Sequence, residues 1–333
     1  MKQLKSLAKR SKSAIVVYKI YDNWRTTRRF RRGVVEWTDA STHLTMTLDE
    51  SLKYIDSQFD DYLKYGHIAA DSLRDKRVFE LGFGDNIGVA LKFLAVGGAR
   101  QLVCLDKFYC ERDDQQQIEI YQALREGLNP VQRVLFDEAI DMKDGLNLNP
   151  EKLVCIYGTD VEDCQQLTQG EPFDLIISRG AIQDIYEPDA ALAAMDRMLV
   201  NGGMMLHKID LSDQGMFRDN GLHPLTFLTI SDRLYRMMAA GSGKPNRKLL
   251  NYYRAKMESL GYESTFLITD LIGGKGKGDM HPHKNTLDLE DDFTKKAFSL
   301  LKEIRPRLLP RYKNLPDTEL VVAGTFLVAR KPN

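Results

Sequence analysis

Cysteine is scarce: the 333 residues contain four, Cys104, Cys110, Cys155 and Cys164, and none forms a C-x-x-C pair. That spacing disfavours a zinc knuckle or a thioredoxin-like centre, and reduced thiols in a cytosolic protein are expected. Histidine is scarce too, with six. His281-Pro282-His283 is the one close pair, and the sequence places no acid beside it to complete a ligand set, so no metal is expected. No apolar run approaches the roughly 20 residues that cross a bilayer. The longest near the start, 14–21, is broken by Lys19 and lacks a small-residue cleavage site after it. Net charge is also absent, because 47 Lys and Arg meet 47 Asp and Glu. What remains is the composition of a globular, cytoplasmic protein long enough for one large core.

The neutrality hides an asymmetry. The first 32 residues hold eleven Lys or Arg against one acid, Asp22, so a +10 arm precedes a −10 body. Two readings stay open for the arm. It is drawn to an anionic surface, a membrane leaflet or a charged glycan, which places the protein peripherally at the inner membrane face. Or it is a solvated helix that pairs with its own acidic body. The acidic body argues against a broad nucleic-acid footprint. Nothing in the pattern sets an oligomeric state.

Beyond the arm, 47–66 reads as a helix, capped by Thr47 or Asp49, with Leu52, Ile55, Phe59, Tyr62 and Leu63 at helical spacing. Short apolar strands then alternate with glycine-stopped helices: strands at 77–84, 101–106, 153–158, 173–180 and 204–211, helices at 87–98 and 188–203. Closing strands are expected at 263–271 and 319–331. This alternation predicts a doubly wound, mostly parallel α/β sheet with helices on both faces and a helical N-terminal arm. We divide the chain into a basic arm, 1–45, and one domain, 46–333. Insertions at 212–262 and 272–318 have the length of substrate lids.

In such sheets ligands sit beyond the carboxyl ends of the strands. The first strand ends in Glu80-Leu81-Gly82-Phe83-Gly84-Asp85-Asn86-Ile87-Gly88. Glycines allow a sharp turn and close approach, and the following helix offers N–H groups to a carboxylate or phosphate. The spacing is G-x-G-x-x-x-G, not the dinucleotide G-x-G-x-x-G, and an acid precedes it. Glu80 suits a ligand that carries an ammonium group better than a pyrophosphate. Asp106 ends the second strand, where an acid accepts from both hydroxyls of a ribose. After the third strand, Asp160 is placed to meet an adenine amino group and Val161 to cover the ring. Asp85, Asn86, Lys107 and Ser178 complete the expected cofactor set.

The runs ELGFGDNIG, VCLDKF, FDLIISRGAIQDIYEPDAALAAMDRMLVNGG and LHKIDLSD resemble the successive motifs of class I S-adenosylmethionine (SAM)-dependent methyltransferases, over roughly residues 60–333. The likeness is greatest to bacterial branches that tailor glycans or other secondary products. It implies a seven-stranded sheet with the last strand antiparallel, SAM as cofactor, and SAM-binding roles for Glu80, Gly82, Gly84, Asp106 and Asp160. The chain departs from that pattern after the fourth strand, where Gln183-Asp184 stands in place of a common Glu-His.

Methyl transfer to a hydroxyl needs an in-line acceptor and a base. His207 and Asp210 on the fifth strand, His223 in GLHPLTFL, and Asp184 are the candidates. Arg179, Lys244 and Arg247 are placed to hold an anionic substrate. The expected reaction is O-methylation of a sugar hydroxyl in a glycan, a glycolipid or a related metabolite. Two alternatives remain: a nicotinamide-dependent oxidoreductase on a Rossmann fold, and a catalytically degenerate methyltransferase fold acting as a binding protein.

Overall fold

The computed structural model describes residues 11–33, 36–37, 41–274 and 292–333. His281, His283 and the glycine-lysine run at 275–279 lie outside the described residues. Seven strands form the main sheet: β1 Arg77–Leu81, β2 Gln101–Asp106, β3 Leu153–Tyr157, β4 Phe173–Arg179, β5 Leu199–Asp210, β6 Glu263–Leu271 and β7 Val322–Arg330. Their order is β6-β7-β5-β4-β1-β2-β3. β1 runs parallel to β2 and β4, and β2 parallel to β3. β7 runs against β5, since Leu211 N bonds Ala323 O while Lys331 N bonds Gly203 O. This order, with one reversed strand next to the edge, is the seven-stranded, mostly parallel doubly wound sheet expected from the alternation of strands and helices.

The chain divides into two compact units. One comprises 32–179, 190–206 and 330–333. Its strands β1, β2 and β4 are buried along almost their whole length, as parallel strands covered on both faces are. Helix α2, Leu48–Gly66, starts with a reciprocal cap: the Thr47 side chain accepts from Glu50 N and the Glu50 carboxylate accepts from Thr47 N. Its inner face carries Phe59 edge-on to Phe93 of α3, Gly88–Ala95, at 5.1 Å. Two further helices, α4 Asp114–Glu126 and α5 Pro130–Ala139, have no counterpart in the sequence reading. In α4 the buried face is Gln117, Ile120, Tyr121 and Leu124, and the glutamine interrupts the apolar stripe. Helix α6, Pro188–Met198, ends five residues before the expected glycine stop. β5 begins at once at Leu199, and Gly202 turns within the strand with φ +74°.

The other unit comprises 1–31, 180–189 and 207–329. The arm contributes helix α1, Lys12–Phe30, which packs on α7, Asp232–Ala239. Asn23 joins them from both sides: its Nδ2 donates to Met237 O at 3.1 Å and its Oδ1 accepts from Gly241 N at 2.8 Å. Gly241 is required for this approach, since a Cβ there would stand 2.2 Å from Thr27 Oγ1. Helices α8, Leu250–Ser259, and α9, Asp292–Ile304, complete the unit around the fully buried Phe217, Phe227, Tyr235 and Tyr253.

Candidate cofactor site and acceptor-side residues

Past β1 the chain turns through Gly82 and Gly84, with φ +74° and +71°, a geometry that favours glycine. Gly82 N donates to Leu105 O at 2.8 Å and ties the turn to β2. Glu80, 7% exposed, lies beside Cys104 of β2. Among the described residues the donor to its carboxylate is the Cys104 thiol, at 3.8 Å. Burial pushes the Glu80 carboxyl up to about 8. A cation beside it would hold it ionised again.

Asp106 follows Cys104 by two residues and so shares the sheet face of Glu80. Its Oδ2 accepts from Gly84 N at 3.2 Å and its Oδ1 from Phe108 N at 3.0 Å, so it bridges the glycine turn and the end of β2. Burial raises this carboxyl to about 6 against those bonds. Glu80, Gly82, Gly84 and Asp106 therefore come together as expected from their spacing.

Helix α2 adds groups that the sequence did not disclose. Tyr62 is fully buried, its hydroxyl is pushed up chiefly by burial, and Glu80 and Arg179 act on it in opposite senses. Asp61, one residue earlier, pairs with Arg179 at 2.9 Å, with side chains 14% and 13% exposed. An acid and a tyrosine side by side on an amphipathic helix give no local sign of this role. A second unforeseen group forms at the end of β3. The Tyr157 ring lies 5.2 Å from Phe83 and 5.1 Å from Tyr109, and its hydroxyl accepts from Arg112 Nη2 at 2.6 Å.

Several expected contacts are redirected. Asp160 receives Lys107 Nζ on both oxygens, at 2.8 and 2.6 Å, so the two residues pair with each other. Val161 beside them is buried. Asp85 is turned inward: its Oδ2 accepts from His43 N at 2.8 Å and Leu44 N at 3.2 Å. Asn86 gives its amide to Gln117 and accepts from Gly88 N, both at 2.7 Å. Both residues hold scaffold, because the turn must be anchored to segments distant in sequence. The start of α3 is likewise taken, by Asn86 on Gly88 N and by the Tyr121 hydroxyl on Ile87 N at 3.0 Å. Gly88 has no space for a side chain, since a Cβ would stand 2.5 Å from Ile55 Cδ1. Ser178 is buried and pairs with Leu81, so it points to the sheet face opposite Glu80.

The acceptor-side candidates belong to the other unit. His207 on β5 is fully buried, and burial lowers it to about 3. His223 has both ring nitrogens engaged by backbone: Nε2 on Leu300 O at 2.9 Å, and Nδ1 accepting from Leu225 N at 3.0 Å. It holds a turn and has no nitrogen left for a substrate proton. Arg247 is buried, donates to Phe227 O and Ile230 O, and stacks 3.8 Å from the Tyr235 ring. It is a core residue, not a substrate anchor. Asp184 and Asp210 are brought together through Gln183. Gln183 Oε1 accepts from Asp210 N at 3.4 Å, and its Nε2 donates to Asp184 at 3.3 Å. Gln214 Nε2 also reaches Asp184, at 2.8 and 3.1 Å. The result is a half-exposed cluster of carboxylates and amides just after β4 and β5.

No family model and no curated protein matches the chain. Among solved structures it is similar to the CurJ carbon methyltransferase, at 11% identity and TM-score 0.35, covering 78% of this chain and 50% of that one. It is similar to Haemonchus contortus phosphoethanolamine N-methyltransferase 2, solved with SAM, at 13% identity and TM-score 0.40, covering 83% and 53%. It is similar to the plantazolicin methyltransferase BamL, solved with SAH, at 12% identity and TM-score 0.38, covering 97% and 100%. The chain spans about half the length of the first two. At such identities the likeness carries neither a family nor a substrate.

Proposed function

We propose that the chain is a SAM-dependent methyltransferase that methylates a hydroxyl, with a sugar of a glycan, glycolipid or related metabolite as acceptor. The observation that carries the cofactor reading is Glu80: a buried carboxylate with a thiol as its donor, on one sheet face with Asp106 and behind a left-handed glycine turn. Such a carboxylate is complementary to a cation. Arg179, paired with Asp61, supplies the opposite sign for the carboxylate of a zwitterionic amino-acid end. Asp106 keeps lone pairs for ribose hydroxyls. The aromatic group of Phe83, Tyr109 and Tyr157 beside it supplies flat apolar surface for a base. When bound, SAM supplies a methyl already activated on a sulfonium.

The nicotinamide alternative loses ground to the same bonds. The N–H groups of Gly84, Ile87 and Gly88 that a pyrophosphate would need are already spent on Asp106, Tyr121 and Asn86. In calorimetry SAM and S-adenosylhomocysteine should bind at micromolar levels, with no heat from NADH. Asp106→Ala should weaken SAM by about a hundredfold or more, since it removes two charge-assisted hydroxyl bonds at ~1.5–3 kcal/mol each. Unchanged SAM affinity in that variant would remove the ribose assignment.

For the proton, Asp184 is the favoured base. Its carboxylate is positioned by Gln183 and Gln214, and Asp210 stands one amide further on. Amide and carboxylate groups side by side match the donor and acceptor pattern of vicinal hydroxyls. His207 is a weak base at about 3, and His223 has no free nitrogen. Asp184→Asn should lower kcat by roughly a hundredfold and leave the SAM dissociation constant within error. Loss of SAM affinity without loss of kcat would sink this assignment.

A further inference from the structure

We infer that the outer face of α1 is a docking surface for an anionic lipid bilayer. The helix buries Ile15, Val16 and Thr26 on one side. On the other side Val17, Tyr18, Tyr21 and Trp24 are 67, 59, 57 and 55% exposed. Val17, Tyr21 and Trp24 stand at i, i+4 and i+7, and Tyr18 lies three residues before Tyr21, so the four share one helical face. Such a row of large apolar side chains on a surface helix calls for a partner. Arg25, Arg28 and Arg29 continue the same face toward the C-terminal end, all exposed. Arg28 lies over the Trp24 ring at 5.5 Å, and Tyr21 and Trp24 stand 6.1 Å apart.

This composition selects among occupants. Tyrosine and tryptophan favour the headgroup boundary of a bilayer, where an apolar body and a polar tip are both satisfied. Arginine beside them meets lipid phosphates, and the +10 arm supplies the long-range attraction. A second copy laid face to face would set these arginines against their own equivalents. Nucleic acid would engage the same charges, but the −10 remainder of the chain repels a polyanion over any wide footprint. A bilayer needs only the face of one helix, about 28 Å long for its 19 residues. The inner face is fixed by Asn23 and Gly241, so the surface is presented by a packed helix, independently of any methyl-transfer chemistry.

The test is co-sedimentation of the full chain with phosphatidylcholine vesicles, with and without phosphatidylglycerol. It is read together with Trp24 emission in a Trp37→Phe background, which leaves one tryptophan. We expect binding only with phosphatidylglycerol, and a blue shift of Trp24. Replacing Arg25, Arg28 and Arg29 together by Gln should weaken partitioning about a hundredfold, and by Lys only slightly. Tyr21→Ser with Trp24→Ser should weaken it about tenfold or more. Circular dichroism confirms that these surface variants fold. The inference fails if anionic vesicles do not bind the chain, or if binding is indifferent to Tyr21→Ser with Trp24→Ser. It fails equally if an oligonucleotide binds while vesicles do not.

Discussion

Glu80→Gln should cost SAM a hundredfold or more in affinity and yet raise the thermal midpoint of the ligand-free protein at pH 8. The two effects share one cause. In the folded chain burial lifts this carboxyl from an ordinary 4.5 to about 8. The folded state therefore holds a proton that the unfolded chain releases. Stability contributed by this group is full below about pH 4.5 and is lost as pH rises through about 8. Glutamine abolishes the titration, so the variant should gain over the parent by a few kcal/mol at pH 8 and by little at pH 4.

The ligand reverses the preference. A cation held against Glu80 requires the carboxylate, so binding below pH 8 must expel a proton, and affinity should climb by up to about tenfold per pH unit toward that value. Calorimetry in two buffers of different ionisation enthalpy counts the proton. A Glu80→Gln protein that keeps its SAM affinity, or binding that moves no proton, would be incompatible with Glu80 as the ammonium site.

The second large effect concerns the core. Arg247→Met should destabilise the protein by about 3–5 kcal/mol, a thermal midpoint lower by roughly 5–10 °C. Arg247 Nη1 donates to Phe227 O at 3.2 Å and to Ile230 O at 2.6 Å, and Nη2 pairs with Asp232 at 2.7 Å. Methionine fills the space and leaves the carbonyls in the interior without a donor, which is where the cost lies. The exposed Asp232 end adds little, since that carboxylate is solvated and also meets Arg311. Arg247→Lys should recover part of the loss, because a single ammonium cannot reproduce the fork. Scanning calorimetry reads the effect. If Arg247 instead anchored substrate, Arg247→Met would raise KM without moving the midpoint.

The sheet was legible because its signal is local. Runs such as RVFEL and QLVCLD have an apolar centre and lead into glycine or end in acid, and β2 and β6 fall on their expected limits. Glu80 and Asp106 were legible for the same reason, each being the acid at a strand end. What stayed hidden depends on partners far along the chain. Asp85 looks like a ligand contact until His43 and Leu44, some forty residues upstream, claim it. His223 looks like a base until Leu225 N–H occupies its Nδ1 and Leu300 O, far along the chain, binds its Nε2. Helix α4 was missed because Gln117 sits where a core residue belongs. The structure shows why: it braces Asn86 at 2.7 Å and the Tyr121 hydroxyl at 2.8 Å. A polar residue that serves a distant polar residue cannot be recognised from periodicity.

Gly88 turns the glycine turn into one end of a lever. The hydrogen at this position is all that separates the start of α3 from Ile55, a fully buried residue of α2. Two helical turns further along α2 come Asp61 and Tyr62, the pair that faces Arg179 and Glu80. A methyl group at 88 would act as a wedge under the helix, with its far end displaced where the amino-acid end of the cofactor is proposed to rest. Shape at the middle of α2 and charge two turns further on are thus carried by one helix.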